Sequence, residues 1–179
     1  MTDSNNLSTA RRHTTAKRTS SSQSAAAKLH TVSRYRLRLL KEDTESIPEP
    51  ETLRQPSKTA AFLWKRVFDG LDREAMCALY VDVKLRVIGW TVAYVGCLSH
   101  CCVEPRGLVV PALLANASGL IIAHNHPAGS PEPSEEDRLF TKQMQLACDA
   151  LKLNLVDSLV VAEGPAGPRW TSILKAVSG

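Results

Sequence analysis

Nothing in this chain of 179 residues is built to cross a membrane: apolar runs such as Leu120–Ala123 and Leu159–Ala162 fall far short of the ~20 residues a bilayer span needs. No hydrophobic signal segment is present either, and the five cysteines (Cys77, Cys97, Cys101, Cys102, Cys148) are odd in number. Both absences argue against a disulfide framework and for free thiols in a reducing, cytoplasmic setting. Acidic residues are all but missing from the N-terminus. Residues 1–41 hold nine Lys/Arg against Asp3 alone, a charge of +8; since the whole chain carries +4, the other 138 residues carry −4. Large aliphatics are equally scarce there, with only Leu7 and Leu29 after Met1 in residues 1–30. Such a segment buries too little surface to offset its ordering entropy, so residues 1–33 are expected to form a disordered basic tail. Its composition fits three readings: a solubilising tail, an arm over residues 1–41 that attracts nucleic acid, or a transit peptide. There is no internal repeat.

What the remainder does contain is an alternation of strand and helix signals. Thr31–Leu40 alternates Val32, Tyr35, Leu37 and Leu39 with Ser and Arg, as a half-buried edge strand would. Residues 42–57 are acidic and Pro-containing, a linker. Ala60, Ala61, Leu63, Trp64, Val67 and Phe68 recur at helical spacing over Ser57–Phe68, with Ser57 as cap and Gly70 as stop. Ala75–Val83 and Leu85–Val95 read as two strands joined at Asp82–Lys84. Pro105–Ala117 reads as a helix with Pro105 in its first turn, although Gly107 and Pro111 weaken it. Gly119–Ala123 is a buried strand, Ser134–Leu151 a helix and Leu155–Ala162 a second buried strand. The order points to an α/β layered domain over residues 34–179.

Chemistry concentrates where the strand Gly119–Ala123 ends. In extended backbone residues i and i+2 face one side, so His124 and His126 present two imidazoles to one point. The stiff loop Pro127–Pro133 then turns the chain into a helix starting at Ser134, which sets Asp137 in its first turn. Two imidazoles and a carboxylate make a three-ligand zinc site with a fourth position left for water, as catalytic zinc requires. A purely structural account is available for half of this: Ser134 and Asp137 also have capping-box spacing. The two accounts are compatible, since Ser134 can cap while Asp137 ligates.

The run His-x-His-x7-Ser-x2-Asp over 124–137 resembles the metal signature of the JAMM (MPN+) metalloprotease family. The fuller pattern, from Asn116-Ala117 through Ala123-His124-Asn125-His126-Pro127 and Gly129 to Pro133-Ser134 and Asp137, resembles its bacterial RadC-like branch, as does Leu151…Val156-Asp157-x-Leu159-Val160-Val161. The motif-bearing core runs over residues 72–170. The resemblance implies a mixed sheet flanked by helices, zinc on His124, His126 and Asp137, Ser134 helping to hold the oxyanion, and Glu74 before the first core strand as general base. It implies a peptidase- or isopeptidase-like hydrolase acting on a peptide or protein substrate. An alternative keeps the same zinc site in a structural or regulatory role within a DNA-associated accessory protein.

Three features depart from the family pattern. Its helix–hairpin–helix region is not recognisable in residues 1–56. The helix that usually opens Pro-Arg-Glu opens Pro105-Arg106-Gly107, and the Asp-His pair downstream is Asp157-Ser158. Nucleobase deamination, another zinc chemistry on an α/β fold, needs His-x-Glu and Pro-Cys-x-x-Cys, and neither occurs. Cys97, His100, Cys101 and Cys102 lack the paired C-x2-C spacing of a structural zinc site and are expected to be ordinary thiols and a histidine.

Overall fold

The computed structural model describes residues 55–96 and 103–174, and within them the apolar runs of the sequence become a five-stranded sheet. Helix α1 (Pro56–Leu63) continues into a π-helical turn, Trp64–Phe68. Strands β1 (Ala75–Val81) and β2 (Val87–Val95) follow, then α2 (Pro105–Leu114), β3 (Gly119–His126), α3 (Glu135–Ala150), β4 (Asn154–Ala162) and β5 (Arg169–Ser172). The strand order is β2-β1-β3-β4-β5, with β3 and β4 parallel and every other neighbouring pair antiparallel. This is the α/β layering that the alternation of signals implied and the mixed sheet flanked by helices that the resemblance implied. The expected tail, the strand over residues 31–40, and Cys97, His100, Cys101 and Cys102 lie outside the described residues.

Side-chain alternation along β1, β3 and β4 divides the core into two layers. On one face Ala75, Cys77, Leu79, Ile121, Ala123, Leu159 and Val161 pack with Ala60, Phe62, Leu63 and Phe68 from α1 and its π-helical extension. On the other, Met76, Ala78, Tyr80, Leu120, Ile122 and Leu155 pack with Leu108, Val109 and Ala112 of α2 and Met144 and Cys148 of α3. The central strands are therefore apolar on both sides, as strands covered by helices on both faces must be.

Element ends differ from the sequence expectations for local reasons. α1 starts one residue earlier than Ser57: Pro56 occupies its first turn, where a missing N–H costs nothing, and Gln55 is the cap residue. The β1–β2 turn is longer than expected. Asp82 accepts the amides of Lys84 at 2.8 Å and Arg86 at 3.0 Å through its side chain, and Leu85 takes a φ of 61°. An aspartate that bonds its own downstream amides competes with strand pairing, which shortens both strands. α2 stops at Leu114, and Asn116 sits at φ 53°, a conformation asparagine tolerates. Strand β5 had no sequence signal; four residues are too few to show a period. Among the described residues no helix is long and apolar enough to cross a membrane.

Candidate metal centre

β3 carries the pair of histidines past the last aliphatic residue of the core. His124 is 3% exposed and pairs across the sheet with Met76 of β1 and Val160 of β4. His126 is the strand's half-buried last residue, opposite Ala162. Both rings project to the face covered by α2 and α3, with centroids 4.8 Å apart. The loop that follows folds back at once. Gly129 donates its amide to the His126 carbonyl at 3.0 Å while at a φ of 84°, a value at which a glycine carries no steric penalty.

α3 supplies the third group. Ser134 is its N-cap in a complete capping box: the Asp137 amide donates to Ser134 Oγ at 3.1 Å, and the Ser134 amide donates to Asp137 Oδ2 at 2.8 Å. The Ser134 hydroxyl also donates to Oδ2 at 2.7 Å. One carboxylate oxygen is thus committed to the cap, and the other is free to face the histidines. Asp137 Oδ1 lies 3.1 Å from His124 Nε2, and Oδ2 lies 3.8 Å from His126 Nε2. Burial works against ionisation of Asp137. The hydrogen bond and charge of His124, with the hydroxyl and amide of Ser134, outweigh it and hold the carboxyl well below the usual carboxylate range. It is an anion at neutral pH.

One ligand atom from each of His124, His126 and Asp137 lies within 4.8 Å of the others. The two Nε2 atoms are 3.0 Å apart. Tetrahedral bonds of ~2.0–2.1 Å would put ligand atoms about 3.3 Å from one another, so the spacing suits a single small cation. The His126 tautomer agrees. His126 Nδ1 lies 2.9 Å from the Ser130 carbonyl, an acceptor only, so that nitrogen carries the ring proton and Nε2 presents a lone pair. Two imidazole nitrogens and an anionic oxygen converging on one point are a donor set suited to zinc.

Two further contacts hold the site's surroundings. Arg169 of β5 donates to the Gly129 carbonyl, and to the Glu163 carbonyl at 3.3 Å, which ties the ligand loop to the sheet edge. Asn125, between the two histidines, faces the opposite side of β3 and is 1% exposed. Its Oδ1 accepts the Ala75 amide at 2.7 Å, and its Nδ2 donates to the Arg73 carbonyl at 3.1 Å. Neither residue drew attention in the sequence. For Asn125 the available signal was the two-residue period, which sends it to the face away from the ligands.

Glu74, the expected general base, is half-buried and immediately precedes β1. Its carbonyl accepts the Gly96 amide at 2.8 Å, which extends the β1–β2 pairing by one residue. Met76 and His124 are antiparallel partners, so their side chains share a face. Glu74 stands two residues before Met76, past the end of that ladder, where extended backbone puts it on the same face.

Two of the departures from the family pattern, Gly107 and Ser158, lie among the described residues. A Cβ at Gly107 would come within 2.5 Å of Tyr94 Oη. That hydroxyl already accepts the Glu104 amide at 3.1 Å and donates to the Glu104 carbonyl at 3.4 Å, so a tyrosine on β2 fills the room a longer residue would take. Ser158 pairs with Thr141 of α3 at 2.8 Å, beneath the site. Asp157, on the other face, accepts the Ser158 amide at 2.8 Å and the Ser172 hydroxyl at 2.6 Å. Cys77 and Cys148 are free and buried; burial pushes the Cys77 thiol far up, and burial with Asp149 pushes Cys148 up to about 11, which leaves both inert.

A mixed sheet whose central strand ends in two histidines, facing a helix-capping aspartate, defines an α/β domain with a candidate metal centre at the strand–helix junction. Residues 53–173 match the RadC-like JAB domain family, and the chain belongs to that family. It is 39% identical over 113 residues to a UPF0758 protein of Aquifex aeolicus, covering 63% of this chain and 48% of that one. A UPF0758 protein of Thermotoga maritima is likewise 39% identical over 113 residues, covering 63% and 50%. The chain spans about half the length of these curated relatives.

Proposed function

We propose that this chain is a zinc-dependent hydrolase that cleaves an amide-type bond in a peptide or protein substrate. The observation that carries the reading is the convergence of His124 Nε2, His126 Nε2 and Asp137 within 4.8 Å. Among the described residues the cluster has three members, whereas a closed structural zinc site takes four protein ligands. That favours a catalytic centre over the structural or regulatory one of a DNA-associated accessory protein.

Zinc held there would polarise the scissile carbonyl and make water nucleophilic near neutral pH. The chain's own groups do the rest. His126, steered by the Ser130 carbonyl, and Asp137, steered by the cap of α3, hold their donor atoms fixed, so little reorganisation accompanies the reaction. Glu74, two residues before the His124 partner Met76, takes a proton from the attacking water as its oxygen bonds to the carbonyl carbon. It returns that proton to the nitrogen as the C–N bond breaks. Ser134 is exposed, and its hydroxyl rotates from Asp137 Oδ2 to donate to the carbonyl oxygen as that oxygen gains charge.

The test is turnover of a peptide and isopeptide library by the zinc-loaded full chain and by its Glu74→Gln variant. A positioned general base contributes ~10²–10⁴-fold to rate, so the variant loses at least that order of turnover while keeping its zinc and its melting temperature. Unchanged turnover would remove Glu74 from the mechanism. A zinc-loaded chain inert towards every amide and isopeptide substrate would favour the accessory role.

A further inference from the structure

The antiparallel ladder between β1 and β3 ends at the pair Met76–His124. Beyond it, the peptide groups on either side of Glu74 would have no partner in β3, at the point where a base must be held to within ~0.5 Å to work. One side chain replaces the missing ladder. Asn125 accepts the Ala75 amide at 2.7 Å and donates to the Arg73 carbonyl at 3.1 Å, so both peptide units flanking Glu74 are fastened to β3. From the β2 side the Gly96 amide, 2.8 Å away, holds the Glu74 carbonyl. The backbone of Glu74 is therefore gripped from both neighbouring strands.

We propose that Asn125 is a positioning residue for the general base: its amide bridges Arg73 and Ala75 and so fixes Glu74. The inference rests on the reading of Glu74 as base. It follows from what a carboxamide alone offers, one acceptor and one donor a single bond apart from the same carbon. Aspartate keeps the acceptor and loses the donor, leaving an oxygen against the Arg73 carbonyl. Alanine loses both. Since Asn125 sits between the two ligands on the opposite face of β3, the strand that supplies the metal ligands also sets the base. A displacement of ~1 Å at such a group can cost ~10²-fold.

The experiment needs no natural substrate. Acetohydroxamic acid binds a metal centre of this kind as its anion: the O–H bond of the hydroxamic group breaks, the N–O bond stays intact, and the proton passes to the neighbouring carboxylate. Its affinity for the Co²⁺-loaded full chain, read from the visible d–d absorption bands, therefore reports a correctly placed base. Cobalt content is measured alongside. Glu74→Gln and Asn125→Ala should each weaken acetohydroxamate about tenfold or more at unchanged cobalt content, the range typical of groups that support a metal site. Asn125→Asp should weaken it too, and the double variant Asn125→Ala/Glu74→Gln should bind no more weakly than Glu74→Gln alone. Wild-type affinity in Asn125→Ala, beside a weakened Glu74→Gln, would overturn the proposal and leave the base standing. Additive losses in the double variant would overturn it as well, because Asn125 would then act by another route. Wild-type affinity in Glu74→Gln would sink the base reading itself, and the proposal with it. If Asn125→Ala fails to fold or loses cobalt, the near-isosteric Asn125→Asp decides by the same criteria.

Discussion

Along β3, Gly119–Ala123 and His124–His126 both pair with β4 and put that pairing to opposite uses. The first stretch is aliphatic on both faces: Ile121 and Ala123 pack against α1, Leu120 and Ile122 against α2 and α3. The second is polar on both faces, with His124 and His126 towards α3 and Asn125 towards the start of β1. Two residues, Ile122 and His124, mark the change, since they neighbour each other on one face and are nearly equally buried at 1% and 3% exposure. Burial alone therefore says little about role. Ile122 ends in contacts that any apolar group of the same shape would satisfy, whereas His124 ends in a ring nitrogen set against His126 Nε2 and Asp137 Oδ1. The change falls where the parallel strands β3 and β4 run out and the N-terminus of α3 begins, so that a strand end and a helix start face the same space.

The comparison breaks most visibly at the metal. Wild-type protein should purify with about one zinc per chain, as three protein ligands imply, and a chelator should lower its melting temperature because a ligand of the folded state alone stabilises it. His124→Ala should hold no stoichiometric zinc, and its melting temperature should ignore the chelator. Full zinc occupancy in that variant, by atomic absorption, would remove His124 from the site. One pair inward, Ile122→Ala should cost ~2–5 kcal/mol in urea unfolding through lost transfer energy and a cavity, while the molecules that remain folded keep their zinc. Loss of zinc from folded Ile122→Ala would show that the two halves of β3 are not separable. The smallest effect is expected at Ser134, which belongs to both worlds. Ser134→Ala removes the cap and should cost ~0.5–2 kcal/mol, with zinc content retained because Asp137 Oδ1 faces the histidines without it. Zinc loss in that variant would mean that the cap is what orients the ligand.

The histidines, Asp137 and Ser134 were legible because each announces itself within a few residues. A two-residue period puts His124 and His126 on one side, and a serine followed three residues later by a carboxylate marks a helix start. Asp137 illustrates the limit of that reading. The sequence left capping and ligation as two compatible roles for one carboxylate; in the structure Oδ2 takes the cap bonds while Oδ1 lies 3.1 Å from His124 Nε2. Tyr94 and Gly107 show another limit. Gly107 looked like a loss from the family pattern until its neighbour on β2 was seen to occupy the vacated room.

The sequence by itself determined the α/β character, the layering of the central strands and the candidate ligand set, since all three are written in periods and spacings that fall inside one element or one turn. Tertiary structure alone decided the rest. The bond from Asn125 to Ala75 joins residues 50 apart, and that from Arg169 to Gly129 residues 40 apart. Strand β5, four residues long, exists because β4 offers it an edge. The placement of Met76 on the histidine face depends on the register of β1 against β3. The physical reason is common to these cases: pairing between distant segments is chosen by complementary packing and hydrogen bonding across the assembled sheet, and it leaves no periodic trace in either segment alone.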